Sequence, residues 1–254
     1  MNPLEQSSSK QLSPLSRALS IAWSEAKITF RNKTVLTGAL IIPLVFGAFY
    51  VISGSAGGAL ATLQVVMLIT LISVMGVYLT ATTTLATRRE ELFLKRLRSG
   101  ESSDGSILAG MLLPSIILAV LQLAIVLVAF FSRGAELPGQ PWLLVIALSL
   151  FIAMCSSCGL VTSVYTPSAA AAQITVMPFF LLALGTAIWT AVLPDGDFRT
   201  LQLLSPGGAL AILVSQAWES SPSWGDYLPA LAVMLAWTVL FGYYGVKKFR
   251  WDKR

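Results

Sequence analysis

Histidine is absent from the 254 residues, and charge is scarce: only 11% of the chain is Asp, Glu, Lys or Arg, against about 25% in ordinary soluble domains. With no imidazole there is no Ser-His-Asp or Cys-His nucleophile system and no His-ligated metal site. Cysteine is nearly absent too. The two present, Cys155 and Cys158, form a C-x-x-C, a spacing that serves redox and metal chemistry elsewhere. Here it lies in the apolar run Phe151–Gly159 with no cation nearby to favour a thiolate. It reads as small residues on a packed helix, so no catalytic residue and no metal site is expected.

What the chain has instead is apolar surface. Hydrophobic residues make up 56% and the mean hydropathy is +0.77. A soluble domain could not hide this much, because most of its helices must show water a polar face. Soluble enzymes, disordered proteins and nucleic-acid modules are therefore set aside. Six segments reach the roughly 20 apolar residues that a membrane helix needs: Val35–Ser53, Ala59–Thr87, Ser106–Phe131, Pro141–Val164, Ala169–Leu193 and Tyr227–Val246. Pro43, Pro114 and Pro178 fall within spans, which neighbouring helices can accommodate. The fold class expected is an all-α integral membrane protein: one six-span transmembrane domain over 14–254 behind a polar, Ser-rich, disordered tail over 1–13.

The basic residues orient these spans. One group is Lys10, Arg17, Lys27, Arg31 and Lys33. A second is Arg88, Arg89, Lys95, Arg96 and Arg98, and the third is Lys247, Lys248, Arg250, Lys253 and Arg254. Arg133 and Arg199, the other two of the 17, fall in loops on the opposite side. Six spans in the cell membrane with both termini cytoplasmic follow. The pI of about 9.4 is then a matter of topology, and no nucleic-acid partner is expected. The first apolar segment is too long for a signal h-region and reads as a retained helix.

Three further elements stand out. Residues 14–33 read as an amphipathic helix, with Leu15, Ala18, Leu19, Ala22, Trp23, Ala26 and Phe30 at helical spacing. Such a helix suits the inner membrane interface. Residues 194–225 lie outside and contain the run Gly207–Trp218, too short to cross a bilayer, which reads as a re-entrant or interfacial helix. A seventh span there would put the basic C-terminus on the wrong side. The loop Thr87–Gly100 places Glu90 and Glu91 early and Lys95, Arg96 and Arg98 late, an order that complements the helix dipole. Leu94 and Leu97 share one face. A cytoplasmic docking helix fits this pattern, and so does a solvated charged loop; periodicity alone favours the loop. Gln64, Tyr78, Gln122, Gln173, Thr186 and Thr190 are polar residues within spans. No ionised group is placed at mid-bilayer, which argues for energy supplied from elsewhere than ion coupling.

At this point the chain resembles type 2 ABC exporter permeases, and among them the actinobacterial daunorubicin-resistance type. The resemblance is carried by the interfacial helix, the six spans, Ile41-Ile-Pro43, Arg89-Glu90-Glu91 through Leu94-Lys-Arg-Leu-Arg98, the turn Leu204-Ser-Pro-Gly-Gly208 and Phe249-Arg-Trp251. Many relatives have Gly-Thr or Gly-Val after the acidic pair, where this chain has Leu92-Phe93. The resemblance implies a cytoplasmic coupling helix in which Arg89, Glu90, Glu91, Leu94 and Leu97 dock on a separate P-loop ABC ATPase, present in two copies. It also implies a second permease copy or paralogue, short extracellular helices between spans five and six, and a pathway lined by Gln64, Tyr78, Gln173, Phe180, Thr186 and Trp189. The chain has no G-x-x-x-x-G-K-[ST], so ATP and Mg would sit on the partner and this chain would bind no cofactor. The function implied is ATP-driven export of an amphipathic drug or antibiotic, lipid or peptide, with antibiotic resistance as one outcome. The alternative is a non-transporting sensor or immunity subunit docking the same ATPase. An intramembrane enzyme would need a nucleophile or metal set that the spans do not offer.

Overall fold

The computed structural model describes residues 14–31, 41–52, 59–90, 104–194 and 197–249. Among them the regular structure is helical. Helix α1 (Pro14–Arg31) precedes α2 (Ile42–Ile52). A long rod follows, made of α3 (Ala59–Ser73), a π-helical segment (Val74–Leu79) and α4 (Thr80–Glu90). Then come α5 (Asp104–Ser132), α6 (Pro141–Tyr165), α7 (Ala169–Thr175) and α8 (Met177–Val192). The chain continues through α9 (Arg199–Leu204), α10 (Pro206–Trp218) and α11 (Trp224–Lys248).

Five stretches among the described residues are long and apolar enough to cross a membrane: Leu60–Glu90, Asp104–Ser132, Pro141–Tyr165, Ala169–Val192 and Trp224–Lys248. They lie where the sequence places spans two to six. The first expected span, Val35–Ser53, is described only over residues 41–52, within which α2 is helical. The tail over 1–13 and residues 91–103 lie outside the described residues.

The rod is the axis of the molecule. Its most apolar window is 67% buried, against 17% for that of α11. Val65, Ile69 and Ile72 of α3 meet a core shared with Phe151 and Met154 of α6 and Leu210 and Leu213 of α10. The outer helices instead leave Ile125, Val128, Leu181, Val239 and Leu240 exposed. Bare apolar faces on this scale have no place in water, whereas a bilayer covers them without cost. Lipid is as apolar as a leucine side chain, so helices in it are held by close packing of small residues rather than by the hydrophobic effect. Gly159 shows this: a Cβ there would lie 2.8 Å from that of Ala81, so α6 seats directly on α4.

Span five is divided into two helical segments. It breaks at Val176 between α7 and α8. Pro178 has no N–H to donate back along the chain, yet it fits the first turn of a new helix. The short helix between spans five and six, expected as a re-entrant or interfacial helix, is enclosed by protein. Residues Pro206–Val214 of α10 are all buried, wedged among α3, α6, α8 and α11. Ser205 caps it by accepting from the Gly208 N–H at 3.1 Å. Its far end closes against the α5–α6 loop, where the Gln140 N–H donates to the Ala217 carbonyl at 2.8 Å.

At the opposite end α1 lies along α5. The protein covers only part of the α1 apolar stripe among the described residues. Ala22 and Glu25 are buried, whereas Leu19 is 50% and Trp23 66% exposed. An interfacial helix turns its apolar stripe to the lipid and keeps only a narrow edge for the bundle. Lys27 holds its ammonium 5.4 Å from the Trp23 ring centre.

Candidate functional site

The base of the rod carries the densest polar construction among the described residues. Helix α4 ends on Arg88 and Arg89, cations placed where the negative end of the helix dipole favours them. The two guanidinium groups serve different neighbours. Arg88 grips Glu25 of α1 as a fork: Nε donates to Oε1 at 2.9 Å and Nη2 to Oε2 at 2.9 Å. The side chains are 12% and 4% exposed, so the pair is shielded from water and salt, and its two parallel bonds fix geometry as well as charge. Arg89, 8% exposed, reaches the C-terminal end of α6. Its Nη1 donates to the Val164 carbonyl at 3.4 Å and its Nη2 to the Thr166 carbonyl. The last carbonyls of a helix have no partner within it, and a cation is their natural donor.

The joint extends one element further. The Thr166 hydroxyl bonds the Thr162 carbonyl at 2.8 Å and the Thr175 hydroxyl of α7 at 2.9 Å. Around these groups lies a separate apolar cluster of Ala81, Leu85, Ile107, Leu108, Met111, Leu112, Leu160 and Phe249, with Ile21 of α1 packed against it. Phe249 thus brings the end of α11 to the same base. Glu90 closes α4 and is half-buried. Glu91, Leu94 and Leu97 lie outside the described residues.

The residues expected to line a pathway fall into separate surroundings. Tyr78 sits in the π-helical segment, 1% exposed, its hydroxyl 3.0 Å from that of Thr162 and its ring edge-on to Phe179 with centres 5.0 Å apart. A π segment widens the helix and sets side chains off the α register, a device frequent at functional sites. Phe180, the next residue, packs partly buried against the main core. Gln64 is half-buried on α3, its Oε1 buried with no hydrogen-bond partner among the described residues. Thr186 spends its hydroxyl on the Leu182 carbonyl at 2.6 Å, and Trp189 lies 6.2 Å from Phe198, centre to centre. Gln173 is exposed on α7. Tyr78 is therefore enclosed by its own chain, whereas Gln173 faces outward.

Gln122 is buried beside Gly76 of the π segment. Thr190 is buried, its hydroxyl without a partner among the described residues. Cys155 and Cys158 are reduced and buried, and no cluster of metal-ligating side chains occurs among the described residues. Sequence reading passed over Glu25, Thr162 and Thr166. For Glu25 a signal existed: it is the one acid in Pro14–Arg31, three positions from Ala22 and so on the same helix edge.

A family model described as ABC-2 type transporter matches residues 17–206, from the second turn of α1 to the start of α10. No curated relative matches the chain at a significant level.

Proposed function

The chain belongs to the ABC-2 type transporter family, whose members are multi-pass membrane permeases that pair with ABC ATPases, and on that premise we propose that it is the transmembrane half of an ATP-driven exporter. The observation that carries this reading is the family match over residues 17–206. The cargo is an amphipathic small molecule, lipid or peptide, in keeping with apolar spans that carry Thr and Gln and place no acid or base at mid-membrane. Both termini and the base of the rod face the cytoplasm, as the basic residues direct. Two such subunits make twelve spans.

In this reading two copies of a P-loop ATPase close on ATP and push on residues 88–98. Glu90 and Glu91 meet basic groups or backbone donors of the ATPase, and Leu94 and Leu97 supply the apolar contact. Displacement enters span two at Glu90 and span three at Asp104, and the two permease halves rock between inward- and outward-open states. The buried base described above supports this, because a push at Glu90 meets a braced joint and not a loose helix end.

The test is cargo uptake into inverted vesicles holding the chain and a co-produced P-loop ATPase, with a panel of amphipathic dyes, lipids and peptides. ATP-dependent uptake needing both proteins is the expected result. Glu90→Ala or Leu97→Asp should uncouple uptake from hydrolysis, since losing a desolvated interface anchor costs about 2 kcal/mol or more. Lys95→Ala, at a position the sequence reads as a surface i,i+4 partner of Glu91, should do little. Hydrolysis that responds to the chain while no cargo moves would replace export with sensing.

A further inference from the structure

A push delivered at residues 91–103 acts directly only on spans two and three. The base offers a route by which it reaches more of the molecule. The Arg88–Glu25 fork ties the end of α4 to α1, and α1 lies along α5, the helix on the other side of the same loop. The adjacent Arg89 ties α4 to the end of α6, and the Thr166–Thr175 hydroxyl pair carries that tie into α7, the start of span five. Two consecutive arginines thus splice one helix end to two different neighbours.

The two ties differ in kind. Arg89 satisfies carbonyls that any helix C-terminus leaves open, a duty owed to folding. The Arg88–Glu25 fork pairs side chain with side chain. Two charges of opposite sign are held out of water in one fixed relative orientation. Removing Arg88 would leave the buried Glu25 carboxylate without its forked donor, a situation proteins avoid.

We propose that Glu25 and Arg88 are positioning residues of the transport cycle: a charge-paired joint that makes α1 and the base of span two move as one body, so that the ATPase stroke is relayed to α1 as well as to the spans it touches. The proposal rests on the permease reading above and names a part of its machinery outside the coupling segment. With the joint cut, the ATPase still docks and still hydrolyses ATP, but part of the stroke is lost in bending α1 away from α4.

The experiment uses the full chain with its co-produced P-loop ATPase in inverted vesicles. It records cargo uptake and ATP hydrolysis together, beside thermal stability and the amount of ATPase retained. The variants are Glu25→Gln, Arg88→Gln, Glu25→Asp and the exchange Glu25→Arg with Arg88→Glu. Each Gln variant should lower cargo moved per ATP by roughly fivefold, within the range through which residues of a coupling network act, with ATPase retention unchanged. Glu25→Asp, which keeps the charge, should recover most of the ratio, and the exchange should exceed either Gln variant. A merely structural pair would lower stability and yield while leaving the ratio per folded complex at the parent value; that result overturns the proposal, as does an exchange no better than the single variants. A parent complex that moves no cargo with ATP would instead bring down the permease reading itself.

Discussion

Two joints of the bundle, one at the base of the rod and one where α10 meets α8, are held by opposite means. At the base, long charged side chains span the gaps between helices: Arg88 to Glu25 and Arg89 to the α6 carbonyls. Around α10 the gap is closed to nothing. A Cβ on Gly207 would lie 2.7 Å from the Ala187 nitrogen and closer still to the Ala183 carbonyl oxygen, so α10 and α8 touch backbone to backbone. A charged joint is directional and can be rebuilt with the signs exchanged. A glycine joint admits one residue type and transmits any displacement stiffly. On the proposed reading the base is the end that a partner addresses, while the α10 seat keeps two helices moving together.

The largest effect should come from the glycine seat. Gly207→Ala forces α10 off α8 and should lower stability by about 3 kcal/mol, the upper end of ordinary overpacking costs, read as a drop in thermal unfolding temperature in detergent. A Tm within a degree of the parent would show that α10 is not seated where the structure puts it. Arg89→Ala strips the donor from the Val164 and Thr166 carbonyls and should cost about 2 kcal/mol, as hydrogen bonds to charged groups do. Tyr78→Phe removes the hydroxyl contact with Thr162 at 3.0 Å and should cost about 0.6 kcal/mol, the mean for polar contacts between membrane helices. Gly185 is the control for the comparison. Nothing lies within 4 Å of a Cβ there, so Gly185→Ala should leave stability unchanged or raise it by up to about 1 kcal/mol through helix propensity.

How much of this the sequence shows follows the same division. Apolar length is written in composition, so the segments Pro141–Val164 and Ser106–Phe131 fall on the helices Pro141–Tyr165 and Asp104–Ser132. What depends on which residue meets which is not written there. Glu25 stands out in sequence only as the one acid of its helix, and the arginine it pairs with lies 63 residues away. The π segment at Val74–Leu79 lies in a run apolar on every side, where helical period leaves no trace. The depth of α10 rests on Gly207 and Gly208, whose meaning is the backbone they let approach. The break at Val176 was within reach, since Pro178 marks it, but proline is tolerated within membrane helices often enough that its presence alone predicts no break.

The central claim is that a separate ATPase acts on this chain at the base of the rod, on the cytoplasmic side. A benzophenone amino acid at Leu94, and another at exposed Ser221 beyond α10, tests it directly when the chain is co-produced with a P-loop ABC ATPase and the cells are illuminated. The account predicts a covalent ATPase adduct from position 94 and none from position 221. An adduct from position 221, or none from position 94 in a complex shown to be assembled, would contradict it.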